Sequence, residues 1–134
     1  MKRKAFVLKY SETGERAICI DSENAEQILN YLQQDERHRK KFRFITDIIL
    51  SGLKNTNLYD KENINKGLKN VTAMKFFKGQ ENDRIYCQEK RVNNKLYVII
   101  CSELFTKKKS QSNTNKLKNL INKVSKYEYE IEED

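Results

Sequence analysis

Three consecutive ammonium groups, Lys107, Lys108 and Lys109, follow the very apolar run Leu96–Thr106 and precede an amphipathic segment. A strand leading into such a run fixes positive charge at one end of a sheet, where a phosphate-bearing ligand can exploit it. The alternative is a solvated strand end whose lysines keep the edge soluble. Cleaving RNA without a metal asks for more than charge. The 2′-oxygen must lose its proton, the in-line phosphorane must be stabilised and the 5′-oxygen must be protonated. His38 is the one histidine, set within Arg37-His38-Arg39-Lys40-Lys41 on the polar face of a helix, so it is expected to be a solvated imidazole and no histidine pair exists. Lysine, arginine and tyrosine remain. They stabilise charge well and move protons only where neighbours shift a pKa.

Arg84 opens a strand beside a turn containing Gly79, and its planar fork can hold two phosphate oxygens. An ion pair with Asp83 or Glu81 is the competing reading. Tyr86 shares a strand face with Arg84 by the period of two, whereas Tyr97 fits core packing better. The candidate catalytic set is therefore Arg84, Tyr86, Lys107 and Lys109. The candidate RNA-contacting set is Lys75, Lys78, Lys90, Arg91, Lys108, Tyr127 and Tyr129, with the tyrosines able to stack on bases. Strand alternation prevents all three consecutive lysines from facing one cleft, and it sends Lys75 and Lys78 to opposite faces. Tyr127 and Tyr129 could equally be ordinary packing residues. No carboxylate pair with metal-ligand spacing and no glycine-rich phosphate loop is present, so neither a metal nor another cofactor is expected.

These residues need elements to position them. The chain has 134 residues, 37% hydrophobic and 34% charged, with seven Tyr and six Phe, enough for one compact core. Its net charge of +8 points to a polyanionic partner. That charge is uneven: residues 71–126 hold 13 Lys/Arg against 4 Asp/Glu, while residues 127–134 hold 5 acids and no base. The acidic end reads as a mobile solvated tail, or else as counter-charge over the basic block. The opening Met1–Tyr10 is too short in its apolar run for a signal peptide, and no segment reads as a membrane span. Cys19, Cys87 and Cys101 lie inside apolar runs at wide spacing, which suits buried thiols in a cytoplasmic protein.

Ala5–Tyr10 and Arg16–Ile20 flank a turn with Gly14 and read as an N-terminal hairpin over about residues 4–20. Two helices follow over about 23–53, the first with Ala25, Ile28, Leu29 and Leu32 on one face, the second with Phe42, Ile45, Ile48 and Ile49 and with Gly52 near its end. Residues 54–70 read as a surface connection. Strands follow over about 71–106, joined by 79–83 and by an Asn93-Asn94 turn. A last helix over about 113–127 carries Leu117, Leu120, Ile121 and Val124. This order describes one α+β domain, an antiparallel sheet with the two N-terminal helices packed on it and a C-terminal helix.

The run Asp83-Arg84-Ile85-Tyr86-Cys87, then Tyr97-Val-Ile-Ile-Cys-Ser-Glu-Leu-Phe-Thr-Lys-Lys-Lys-Ser-Gln111 and a helix, resembles the RelE/HigB superfamily of bacterial type II toxin-antitoxin toxins. The resemblance is strongest over about residues 71–127. Residues 1–70 match in element order, with the hairpin an elaboration of the family's single first strand. The chain departs from the family in reading Lys-Ser-Gln-Ser-Asn after the strand and in lacking an arginine at the end of Val71–Lys78. The resemblance implies a RelE-like fold and an mRNA endoribonuclease that inhibits translation, acting on free or ribosome-bound mRNA and held inactive by a cognate antitoxin over its basic cleft. Two further readings stay open: a non-catalytic RNA- or ribosome-binding module, and a non-nuclease ParE-like toxin that acts on a DNA topoisomerase by protein contact.

Overall fold

The computed structural model describes residues 2–61, 71–77, 83–106 and 114–133. Seven strands in these residues, β1 (Arg3–Tyr10), β2 (Arg16–Asp21), β3 (Tyr59–Lys61), β4 (Val71–Phe76), β5 (Asp83–Val92), β6 (Leu96–Phe105) and β7 (Tyr129–Glu132), form a single sheet in the order β3-β4-β5-β6-β2-β1-β7. Three helices accompany it: α1 (Ala25–Leu32), α2 (Glu36–Leu50) and α3 (Thr114–Lys126).

The antiparallel sheet expected from the sequence is corrected here, because the sheet is mixed. Strands β3 to β6 form an antiparallel run and β1 pairs antiparallel with β2, but β2 lies parallel to β6 and β1 parallel to β7. The reason lies in the two central strands. In β2 and β6, Ala17 to Ile20 and Val98 to Cys101 are all fully buried, so both faces of each strand are apolar and each needs a neighbour and cover on both sides. A sheet covered on one face only could not bury them.

The helices divide accordingly. Ile28, Tyr31 and Leu32 of α1 and Ile45 and Ile49 of α2 pack against Ile18, Ile20, Ile85 and Ile99 on one face. Ile121 and Val124 of α3 pack against Val71, Ala73 and Tyr86 on the other face, beside a second cluster built from Ala5, Ala17, Val98, Ile100 and Tyr129. One extra residue in β6, between the pairs Cys87↔Cys101 and Tyr86↔Glu103, bulges the strand at Ser102.

Local chemistry sets the boundaries of the elements. The side chain of Asp35 caps α2 by accepting from the His38 backbone N–H at 2.8 Å. At the other end Gly52 takes φ +78, and the N–H groups of Gly52 and Leu53 return to the carbonyls of Ile49 and Ile48 at 3.1 and 3.2 Å, a Schellman stop. Asn93 and Asn94 both take positive φ in the turn closed by the Lys95 N–H on the Val92 carbonyl. Two expectations fail. The acidic end is not a free tail, since Tyr129–Glu132 forms strand β7 with Tyr129 buried and the glutamates outward, and charged side chains on an edge strand guard it against further pairing. The connection after α2 also contributes strand β3, which pairs with β4.

Candidate nucleic-acid interface

Cations from separate segments lie near the end of the sheet where β4 and β6 finish and β5 begins, Lys75 and Arg84 on the α3 face and Arg37 on the face that α1 and α2 cover. Lys75 stands opposite Arg84, and Arg84 stands opposite Phe105, in one cross-strand row. Lys75 and Arg84 are half-buried, and the Lys75 ammonium donates to the Thr56 carbonyl at 3.2 Å. The N-terminal turn of α2 reaches the same end and lays the Arg37 guanidinium 3.6 Å from the centre of the Phe77 ring. Phe77 holds φ +50, a backbone conformation that bulky residues seldom adopt. Beyond Phe105 the chain enters the lysine run, but Lys107, Lys108 and Lys109, like Lys78, lie outside the described residues.

The remaining predicted residues have other work. Tyr86 shares the Arg84 face as alternation requires, yet it is fully buried beneath α3 with Val71, Ala73, Ile121 and Val124, out of contact range of an RNA on the surface. The Lys90 ammonium donates to the Tyr129 carbonyl at 3.1 Å and ties the start of β7 to β5. The Tyr127 hydroxyl donates to Glu103, and the Arg3 guanidinium lies 4.1 Å from the Tyr127 ring centre. Burial, with the Glu103 carboxylate beside it, pushes the Tyr127 hydroxyl well above its ordinary pKa.

Tyr129 belongs to a buried network around Asp21. Its hydroxyl donates to Asp21 at 2.6 Å and is 2.9 Å from the Ser102 hydroxyl. Asp21 is fully buried and also accepts from Arg3 Nε at 2.7 Å and from the backbone N–H groups of Glu23 and Asn24 at 2.8 and 3.2 Å. It therefore holds β1, β7 and the entry to α1 together. Burial, and donation to Asp21, raise the Tyr129 pKa. For Arg3, burial works to lower the pKa, and the hydrogen bond and charge attraction to Asp21 outweigh it.

His38 is corrected from a solvated to a buried imidazole, only 5% exposed. The ring sits edge-on to Tyr31 and to Phe77 at 4.9 and 4.8 Å between centres, and Nδ1 is 2.6 Å from Asp35. Hydrogen bonding from the His38 side chain and backbone holds the Asp35 carboxyl below its usual range. Next to this cluster the Tyr31 hydroxyl donates to the buried Asp83 at 2.9 Å. This is a satisfied polar knot joining α1, α2 and β5.

A second region, missed in the sequence, is a cavity of about 780 Å³ on the α2 face at the opposite end of the sheet. Arg91, Tyr97 and Arg16 form one rank across β5, β6 and β2, with the two guanidinium groups 5.4 and 5.7 Å from the Tyr97 ring centre. Arg16 also donates to the Ile49 carbonyl at 3.1 Å, at the exposed end of α2. One rank further in, the Glu89 carboxylate takes the Tyr97 hydroxyl on one oxygen and the Tyr59 hydroxyl on the other, while Thr72 donates to the Tyr59 hydroxyl at 2.7 Å. Burial, reinforced by Glu89, pushes Tyr97 up to about 12, and burial raises Tyr59 well above its ordinary value, so both hydroxyls keep their protons as donors. Of the predicted residues that are described, only Arg91 lines this cavity. A signal was present in the sequence: Glu89 continues the alternation Ile85, Cys87, Glu89 on the face that helices cover, where a carboxylate is costly without partners.

Among the described residues no three His, Cys, Asp or Glu side chains stand together where they could hold a metal, and no helix is long and apolar enough to cross a membrane. All three cysteines are free and buried. Comparison with known proteins returns nothing similar: no family model, no curated protein and no solved structure matches the chain.

Proposed function

We propose that the protein binds single-stranded RNA through the sheet end that carries Arg37, Lys75 and Arg84 and leads into Lys107, Lys108 and Lys109. The observation that supports this reading is the cross-strand row of Lys75 and Arg84 at the end of the sheet, with Arg37 of α2 at the same end on the other face. Backbone phosphates reward neighbouring cations because each neutralised phosphate releases condensed counterions, whichever base it carries. The block of residues 71–126, with 13 basic and 4 acidic side chains, supplies the background field. Buried free thiols accord with action in a reducing cytoplasm. With Tyr86 covered by α3, binding has more support than catalysis.

The test is binding of a short unstructured RNA across a salt series, for the parent and for a protein with Lys75, Lys107, Lys108 and Lys109 changed to Gln. Each lost phosphate contact lowers the slope of log affinity against log salt by about 0.7 for a single strand. A slope and an affinity unchanged by the four substitutions would defeat the reading.

The row Lys75–Arg84–Phe105 also supports a second reading, a toxin-type endoribonuclease in which Arg84 clamps the scissile phosphate and a cognate antitoxin covers the same cations. Removing one cationic donor from such a site costs about 3 kcal/mol, more than a hundredfold in rate. Arg84→Ala should then abolish RNA cleavage or growth arrest while circular dichroism stays unchanged. Cleavage at the parent rate by the folded variant removes this reading and leaves the first intact.

A further inference from the structure

The Arg91 side of the cavity beneath α2 lies on the opposite face from Arg84 and seven residues further along β5, roughly 23 Å at the rise of a strand, while its rim reaches Thr56, whose carbonyl holds the Lys75 ammonium. Its volume of about 780 Å³ falls in the range of small-molecule and cofactor sites. Among the described residues the walls carry five basic side chains, Arg16, Lys54, Lys61, Arg91 and Lys95, against three acidic ones, Glu15, Asp60 and Glu89. An occupant with net negative charge is favoured, although an acid stands at the centre.

That acid is held in place. Tyr97 and Tyr59 each donate to one oxygen of Glu89, and Thr72 in turn donates to Tyr59, so the carboxylate is fixed by a chain of hydroxyls from β6, β3 and β4. An ionised carboxylate has about four acceptor sites, of which the tyrosines use two. The two left, one on each oxygen, call for a pair of adjacent donors. Beside them the guanidinium groups of Arg16 and Arg91, from the strands on either side of β6, lie over the Tyr97 ring and bring two cations to the mouth of the cavity.

Among the nucleobases only guanine presents two neighbouring donors, N1–H and N2–H, on its pairing edge. Adenine and cytosine set an acceptor beside their one amino group, and uracil places its single N–H between two carbonyls, so each would turn a lone pair against the carboxylate. A guanidinium ligand has the same donor pair, but the excess of basic side chains in the walls opposes a cation. We propose that this cavity binds a guanine nucleotide, with the base edge on Glu89 and the phosphate on Arg16 and Arg91. The nucleotide could be free or could be a guanosine residue of RNA, and the recognition chemistry is the same.

Calorimetric titration of the full chain with 5′-GMP, AMP, CMP and UMP tests the proposal, alongside oligouridylate with and without a single guanosine. At least one guanine probe should bind about tenfold or more tighter than its guanine-free counterparts, the discrimination expected of one bidentate base contact. Tight 5′-GMP identifies a free nucleotide as a sufficient ligand. Preference for the guanosine-bearing RNA with weak 5′-GMP identifies an RNA residue. Glu89→Gln should erase the preference. Because that change also disturbs the tyrosines, Arg91→Gln provides an independent check: it should weaken 5′-GMP several-fold and leave guanosine unaffected. Equal binding of all four nucleotides together with equal binding of the two oligouridylates, failure of every guanine probe to bind, or a guanine preference that persists in folded Glu89→Gln overturns the proposal. Changing Arg84 to Gln should leave 5′-GMP binding untouched while lowering affinity for guanine-free RNA, so this proposal and the RNA-binding one can fail separately.

Discussion

Replacing Asp21 by Asn probes the contact set that joins β1, β7 and α1. The carboxylate is fully buried and receives Arg3 Nε at 2.7 Å, the Tyr129 hydroxyl at 2.6 Å and two backbone N–H groups. Removing one partner of a buried ion pair costs about 3–5 kcal/mol, largely because the other charge stays buried and unpaired. Three features bring the expectation to the lower end. The Arg3 side chain is 20% exposed and retains Glu23 at 3.3 Å, Tyr129 retains Ser102, and the Asn amide oxygen still accepts from the backbone of Glu23. The loss should be about 3 kcal/mol, a large share of the 5–15 kcal/mol that hold a typical domain. With a urea m-value of about 2 kcal/mol per M, the unfolding midpoint should fall by about 1.5 M. Tyr129→Phe should cost about 1–2 kcal/mol, and the double variant should lose less than the sum of the two because the residues share a hydrogen bond. A loss below about 1 kcal/mol for Asp21→Asn, or strict additivity with Tyr129→Phe, would refute the claim that Asp21 organises this corner.

Tyr86→Ala should destabilise the fold by about 3–5 kcal/mol in urea unfolding, since it empties a fully buried site under α3, and RNA affinity of the fraction that remains folded should not change. Tyr59, Tyr97, Tyr127 and Tyr129 have raised pKa values in the folded state, so their contribution to stability is intact below about pH 10 and is lost as pH rises towards 12, where Tyr97 titrates. Stability measured from pH 9 to 12 should therefore fall, and tyrosinate absorbance should show at least four of the seven tyrosines titrating late; a flat profile would contradict the burial of their hydroxyls. Asn94→Ala should cost about 1–2 kcal/mol because φ +59 suits few side chains, whereas Asn94→Gly should be close to neutral in thermal unfolding.

Features set by near neighbours were legible in the sequence. The stripe of Ile45 and Ile49 in α2, its Gly52 stop, the Asn93-Asn94 turn and the buried thiols each depend on residues a few positions apart, through helical period, cap geometry and side-chain polarity. The alternation in Tyr129-Glu130-Ile131-Glu132 was also present, but the weight of acidic residues pointed to a free tail, and only the pairing with β1 shows what Tyr129 is for. Neither parallel pairing, β2 with β6 nor β1 with β7, leaves a hairpin turn in the sequence to announce it, so the mixed sheet and the cover on both its faces emerge only from burying two apolar strands at once. The same holds for chemistry. Arg84 and Lys75 could be placed on strands from their spacing, but whether Tyr86 met solvent depended on where α3 docked. His38 looked polar among its basic neighbours until Tyr31 and Phe77 enclosed it. Glu89 has its partners on β3 and β6, Tyr59 and Tyr97, and hydrogen bonds across that many residues are set by strand register, which local sequence does not encode.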